Sequence, residues 1–158
     1  MSGGSPAYDD KANKGASKYI VASAYVTATL CEGCYNPHYG TVYEGFQFSV
    51  IDVYDATSGA AICSATTSHL ITNSSPEVVD GVIYIGTDDG YVLAYEEPPT
   101  CNNGALNLKW TSSTCSVGSP GYPGPMDSGL ESPPVVSFNR VHAVSQNGTL
   151  YMWHRPGW

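Results

Sequence analysis

The chain has 158 residues, enough for one domain with a buried core, and only 13% of them are charged. The formal net charge is −8, and the stretch from Tyr19 to Leu108 contains ten acidic residues without a lysine or arginine. Such a surface repels phosphate groups, so nucleic acids are not expected as partners, and no apolar stretch reaches the ~18 residues that a membrane span requires.

Strand-forming sequence occurs in three copies, of which the first is the most divergent. It begins at Ser5-Pro6, continues through a strand at 18–25, and resumes at 48–54 after an insertion at 27–47. A turn at 55–59 then leads into a fourth strand at 60–65. The strand segments are rich in residues that favour extended backbone, and no window has a helical period. We therefore predict an all-β chain with almost no helix.

The second and third copies match position for position, apart from one extra residue in the first turn of the third. The second copy comprises segments 75–79, 82–90 and 91–95, a loop at 97–105 and a fourth strand at 106–111. The third comprises 132–136, 140–148 and 149–153, and it runs out at 154–158 without room for a fourth strand. Asp89-Gly90 and Asn147-Gly148 favour two-residue hairpin turns, in which both residues have positive φ.

These copies resemble the repeat of PQQ-like (quinoprotein-type) β-propellers, in which a Ser-Pro-x-Val start precedes an Asp-Gly-x-Val-Tyr-x-Gly strand. In that repeat an Ala-x-Thr-Gly turn and a docking tryptophan complete each blade. Asp55 and Gly59 match the turn, and Trp110 stands at the docking position, which Cys63 occupies in the first copy. The resemblance implies β-propeller blades, about three four-stranded antiparallel ones with the last incomplete, in a partial or oligomer-completed propeller.

We expect a single partial propeller over 1–158. Blade one covers 5–70 with the insertion 27–47, blade two covers 74–130 with an insertion at 97–105 and a connector at 113–130, and the incomplete blade three covers 131–158. Closed propellers use about four to eight blades, so three would leave apolar faces and sheet edges exposed. The expected partners are therefore further blades, either from the same longer chain or from identical copies that close a ring or form a filament.

Five cysteines suggest an oxidising compartment. Cys101 and Cys115 both lie in loop sequence, and we predict a disulfide between them. For Cys31 and Cys34 a local disulfide or an inert pair in a loop is favoured over zinc binding together with His38, because a tetrahedral site would lack its fourth ligand.

Asn73 and Asn147 begin Asn-x-Ser/Thr triplets and are candidate glycosylation sites. The residues Met1–Pro6 have no basic or apolar character, so no signal peptide is visible. The cysteines and these triplets together still favour an extracellular or periplasmic location.

No sequence pattern indicates a catalytic site, since there is no Gly-x-Ser-x-Gly elbow. We predict a non-catalytic extracytoplasmic module for protein binding or self-assembly, a scaffold or filament subunit, with no cofactor. One alternative is a fragment of a PQQ-dependent quinoprotein dehydrogenase that uses PQQ and calcium, although the chain lacks the adjacent cysteine pair of that family. The other is a small metal-binding protein that uses the Cys31/Cys34 loop.

Overall fold

The computed structural model describes residues 6–9, 19–30, 35–36, 40–41, 44–98, 101–112, 126 and 128–155. These residues form strands and no α-helix, which confirms the all-β prediction. No helix in this part of the chain is long and apolar enough to cross a membrane. The strands are β1 (Ala7–Asp9), β2 (Tyr19–Leu30), β3 (Tyr35–Asn36), β4 (Gly40–Thr41), β5 (Glu44–Asp55), β6 (Ala61–Thr67), β7 (Glu77–Val79), β8 (Val82–Gly86), β9 (Val92–Glu96), β10 (Leu108–Thr111), β11 (Val135–Ser137), β12 (Arg140–Val144) and β13 (Leu150–His154).

The three sequence copies form three small antiparallel sheets. Sheet one has the order β1-β2-β5-β6, sheet two β7-β8-β9-β10 and sheet three β11-β12-β13, while β3 and β4 form a separate two-stranded ribbon. The first strands of the three sheets lie near one another, since β7 contacts both β1 and β11. The first strands of consecutive sheets therefore lie close together.

The first sheet is longer than the sequence predicted. Strands β2 and β5 have 12 residues each, and they pair without interruption from Tyr19 opposite Asp55 to Leu30 opposite Glu44. Residues 27–30 and 44–47 of the predicted insertion 27–47 belong to these paired strands, so this part of the insertion extends the β2–β5 pair beyond the repeat. Phe46 and Thr27 continue the aromatic and β-branched sequence that favours extended backbone beyond the repeat.

The two glycine hairpins also differ from expectation. Gly90 and Gly148 have positive φ, at 86° and 82°, but the only described non-glycine residues with positive φ are Asp80, Asn103 and Phe138. The amide of Gly148 donates to the Ser145 carbonyl (2.8 Å), as in a type I turn that ends in a left-handed glycine. Each hairpin therefore has a three-residue loop in which only the glycine has a positive φ, and the preceding Asp89 or Asn147 does not.

Sheet two is the middle layer and is covered on both faces. We call the face of a sheet that is directed toward the next sheet in chain order its forward face, and the opposite one its rear face. Between sheets one and two lie Val21, Ile51 and Val53 of sheet one and Ile83, Ile85, Leu93 and Tyr95 of sheet two. Between sheets two and three lie Val82, Tyr84, Val92 and Ala94 of sheet two and Val141, Ala143 and Trp153 of sheet three. Because side chains alternate between faces, all five residues of β8 are buried.

A disulfide fixes the insertion of sheet two against the outer edge of sheet one. Cys63 of β6 is bonded to Cys101, with 6.2 Å between their Cα atoms. Next to it, the amide of Ser64 donates to the Gly104 carbonyl (2.9 Å) and the amide of Leu106 donates to the Ser64 carbonyl (2.8 Å). The segment 101–106 thereby pairs with an edge that would otherwise present open backbone groups.

This bridge corrects the predicted one. Cys101 is bonded to Cys63 and so has no sulfur free for Cys115, which lies outside the described residues. The sequence could not reveal the partner, because Cys63 belongs to another copy and meets Cys101 only when the sheets stack. A disulfide in this position indicates an oxidising compartment.

We expect the Cys63→Ser and Cys101→Ser double variant to lose about 4 kcal/mol of unfolding free energy, from the loop entropy released in the unfolded chain. The bridge joins residues 38 apart in sequence. Urea denaturation with and without a reducing agent measures the effect. Reduction should destabilise the wild type far more than the double variant, whereas equal midpoints for reduced and oxidised wild type would contradict the prediction.

Candidate functional site

Among the residues that the structure describes, the forward face of sheet three is an apolar sheet face without a cover. The second and third strands of each sheet pair in the same register, so equivalent positions can be matched. Tyr19 opposite Asp55 in sheet one corresponds to Val82 opposite Glu96 in sheet two and to Arg140 opposite His154 in sheet three. The third strands then carry equivalent forward residues in pairs: Ile51 and Val53, Val92 and Ala94, Leu150 and Met152. The first two pairs are buried beneath the next sheet, whereas Leu150 and Met152 are 65% and 53% exposed. Sheet three thus repeats the apolar pattern of a covered face without its cover.

Neighbouring strands extend this exposed apolar face. Val135 lies opposite His142, which in turn lies opposite Met152, and Val144 lies opposite Leu150. Val135 and Val144 are exposed as well. Val144, Leu150 and Met152 are neighbours on one face and form a contiguous apolar patch, and Val135 lies beyond His142 on the same face. Contiguous apolar patches of this kind mark interaction sites on soluble proteins.

Phe138 stands at the turn beside this face. It is 91% exposed and has a φ of 50°, a backbone conformation that is unfavourable for a bulky side chain. The equivalent residue in sheet two is Asp80, which has nearly the same φ of 49°. A strained and fully exposed aromatic residue next to an apolar patch is typical of a binding surface rather than of a solvated one.

The charges on the forward face of sheet three differ from those on the rear face of sheet one. Arg140 Nη1 lies 3.0 Å from His154 Nε2, and because arginine has no acceptor it must donate to that ring nitrogen. On the rear face of sheet one, the Tyr54 hydroxyl donates to Asp52 (3.3 Å). The negative charge of Asp52 is the main cause that raises the pKa of Tyr54. One terminal face therefore carries an arginine and the other a carboxylate.

Arg155 holds sheet three on sheet two. It follows β13 and is only 4% exposed. Its guanidinium donates to the Tyr84 hydroxyl (3.1 Å), the Asp80 carboxylate (2.7 Å) and the Val79 carbonyl (2.9 Å). Burial opposes the charge, but the bonds to Asp80 and Tyr84 outweigh it, so the pKa of Arg155 is raised. We call this arrangement the Arg155 clamp.

Sequence reasoning did not single out Arg155, which stands where the third copy runs out. Burial raises the pKa of the Tyr84 hydroxyl, and the hydrogen bond from Arg155 acts in the opposite direction. The one signal in the sequence was a basic residue directly after the last strand of the third copy, together with an Asp-Gly turn in the preceding copy that could supply a carboxylate. Its partners could be named only after the sheets were stacked.

A second group of polar contacts joins the connector between sheets one and two to the β8–β9 hairpin. His69 Nδ1 lies 2.7 Å from Asp89 Oδ2, and the His69 ring lies against Tyr91 with 4.6 Å between centroids. Asp88 accepts hydrogen bonds from the amide (3.2 Å) and hydroxyl (2.8 Å) of Thr72. These contacts support the packing of the connector, which borders an open cleft of about 590 Å³ lined by Ser64, Ala65, Thr66, Thr67, Ser68, His69, Tyr95, Ala105, Leu106 and Leu108.

The turn residues Asp55 and Gly59 and the tryptophan Trp110, which the sequence analysis named, support the fold: the first two shape a turn, and the third packs between sheets. Asp55 Oδ1 accepts from the amides of Thr57 (3.0 Å) and Ser58 (2.7 Å), so it closes the turn in which Gly59 has a φ of 72°. Trp110 meets Trp153 of the next sheet edge to face, with 6.0 Å between centroids. Trp110 therefore contacts both sheets, whereas Asp55 shapes a turn at the surface.

Other predicted residues are exposed or lie outside the described part of the chain. Asn73 and Asn147 are both exposed, as a glycosylated asparagine must be. Cys31, Cys34 and His38 are not among the described residues, so the zinc and local disulfide alternatives stay predictions. Among the residues that are described, no group of three or more His, Cys, Asp or Glu side chains could hold a metal ion.

Comparison with protein-family models finds no match for this chain, and comparison with curated proteins finds none either. The quinoprotein-like repeat therefore stays a prediction from the sequence.

We expect Arg155→Ala to lower the free energy of unfolding by about 2 kcal/mol or more. The variant loses the hydrogen bonds of a charged group, and the buried Tyr84 hydroxyl loses the hydrogen bond that Arg155 donates to it. Arg140→Ala is the matched control, since Arg140 lies on the open face of the same sheet and should change the stability little. Thermal and urea unfolding measure both. Equal stability of the two variants would contradict the role of the clamp.

The tyrosine pKa values predict an alkaline loss of stability. Burial is the main cause that raises the pKa of both Tyr84 and Tyr95 above 10.0. Above about pH 10 the unfolded chain releases these protons while the folded protein retains them, so their contribution to stability is complete below that pH and is lost as the pH rises through the folded values. Urea unfolding from about pH 8 to about pH 11 should show this decline, with a shallower slope in Tyr95→Phe. An unchanged slope in that variant would refute it.

Proposed function

We propose that this protein is a non-catalytic protein-binding and self-assembly module, a partial β-propeller whose third sheet binds a further sheet supplied by a second copy. One observation carries the proposal: Leu150 and Met152 occupy the positions that are buried in the other two sheets, and here they are exposed. The first strands that lie near one another support the radial arrangement of propeller blades.

The same packing has already occurred twice within the chain. Forward residues of sheet one are buried by the rear face of sheet two, and forward residues of sheet two by the rear face of sheet three. Burial of an aliphatic side chain contributes about 1.5–3 kcal/mol, so a face with several such side chains gains substantially from a third repetition. The rear face of sheet one offers a matching surface, because Ile20, Ala22, Phe48 and Val50 are partly exposed.

Charge complementarity favours the rear face of sheet one as the occupant. Arg140 lies on the forward face of sheet three, and Asp52 lies on the rear face of sheet one. Opposite charges on two faces that meet promote the correct pairing and disfavour pairing of like faces. A forward-to-forward contact would instead place two copies of Arg140 close together.

This head-to-tail contact joins two different surfaces, so it is heterologous. Two copies contribute six sheets, which is within the range of about four to eight blades of closed propellers. A contact angle that fails to close the ring would produce a filament from the same surfaces.

The Cys63–Cys101 bridge supports a location outside the cytoplasm, extracellular or periplasmic.

We expect the wild-type chain to self-associate, and the Leu150→Ser and Met152→Ser double variant to raise the dissociation constant more than about tenfold, because two apolar anchors are removed from the contact. Size-exclusion chromatography with light scattering over a concentration series measures the molar mass. A wild-type chain that stays monomeric at high concentration would refute the proposal.

Leu108→Ser is the matched control for that experiment. Leu108 is 54% exposed, but it belongs to β10 of sheet two and lies outside the forward face of sheet three. It should leave association unchanged. Arg140→Glu should weaken association, and the addition of Asp52→Lys should restore part of it if the two faces meet.

A further inference from the structure

Within the residues that the structure describes, sheet three has three strands where each of the other two sheets has four. In sheet one, β6 pairs with the third strand β5, and in sheet two β10 pairs with the third strand β9. In sheet three the third strand is β13, and within the described part of the chain no strand lies beside its outer edge. A row of backbone donors and acceptors at such an edge is a template for another strand.

The equivalent edge of sheet two identifies which groups of β13 face outward. The amide of Val92 donates to Ser112 Oγ (2.9 Å) and the amide of Glu96 donates to the Asn107 carbonyl (2.9 Å). Leu150 and His154 are the equivalent residues of β13, and the amide of Ser145 donates to the Thr149 carbonyl just as that of Thr87 donates to Tyr91. Because amides alternate in an antiparallel strand, those of Leu150, Met152 and His154 face the open edge.

The chain's own strands of this kind are already engaged. β6 pairs with β5 on one side, and on the other it is joined to the segment 101–106 by the Cys63–Cys101 bridge and the bonds of Ser64. β10 pairs with β9, and its Trp110 contacts Trp153 of sheet three. A second copy could supply either strand only by unfolding its own sheet.

We infer that the outer edge of β13 is a binding site for an extended segment of a partner protein, which adds an antiparallel fourth strand to sheet three. Trp110 lies opposite Ala94 in sheet two, and Met152 is the residue equivalent to Ala94. The partner segment accordingly carries a large apolar or aromatic side chain opposite Met152, where it covers Met152 and Leu150. Main-chain hydrogen bonds supply affinity and this side chain supplies specificity. The main-chain pairing at this edge uses backbone groups and does not require a cover on the forward face.

A peptide with the sequence of 107–112, Asn-Leu-Lys-Trp-Thr-Ser, is the probe, because it is the fourth strand of sheet two. Hydrogen–deuterium exchange mass spectrometry of the full chain follows the segment 149–155 at increasing peptide concentration. We expect exchange in this segment to slow by about tenfold at saturation, since amides in a paired strand are protected. The same peptide with its tryptophan replaced by alanine should bind more weakly.

Two variants separate the edge from the face. Met152→Pro removes an outward amide but no bond between β12 and β13, so it should abolish protection by the peptide while the sheet persists. Arg140→Glu lies on β12 and keeps every outward amide of β13, so it should retain peptide binding, although it weakens the self-association proposed above. Failure of one proposal is thus distinguishable from failure of the other.

Two results would overturn the inference. One is rapid exchange of 149–155 at every peptide concentration. The other is protection of this segment in the free chain that disappears on dilution, because it would assign the edge to a second copy instead of a partner segment.

Discussion

The structure depends on one constraint: a twisted sheet whose two faces are both apolar needs a neighbour on each side. In sheet two, alternate residues of β8 enter different clusters, Ile83 and Ile85 toward sheet one and Val82 and Tyr84 toward sheet three. The middle sheet is thus satisfied by its neighbours alone. The outer sheets each bury one face in the same way, and their remaining faces determine what the protein can bind.

Apolar burial alone does not fix how the sheets are aligned, and specific contacts supply that alignment. The Arg155 clamp joins the end of sheet three to the first turn and second strand of sheet two through three hydrogen bonds. The Cys63–Cys101 bridge joins the insertion of sheet two to the last strand of sheet one. Both connect successive sheets at positions that the repeat does not dictate. Directional contacts such as these distinguish one stacking from others that bury a similar area.

The sequence predicted the strands of the second and third sheets closely because Val, Ile and Tyr alternate between short turns there. It failed where contacts between sheets decide the outcome. The partner of Cys101 lies 38 residues away in the sequence. The structural role of Arg155 depends on Tyr84 and Asp80, which belong to another sheet. The open face was inferred from the blade count, yet its members could not be named until strand pairing showed which side chains share a face. A sequence pattern records periodicity within a strand, whereas binding surfaces arise from which faces remain uncovered.

The composition of the open face argues for a contact that forms between separately folded molecules. Where sheet two carries Val82 and Tyr84 on its forward face, sheet three carries Arg140 and His142 at the equivalent positions. Full burial of an unpaired arginine would be costly, so this side of the face is suited to a solvated rim, while Leu150 and its neighbours form an apolar centre. A permanently covered interior face needs no such rim. The third sheet therefore combines the pattern of an internal layer with the polar margin of a protein–protein interface.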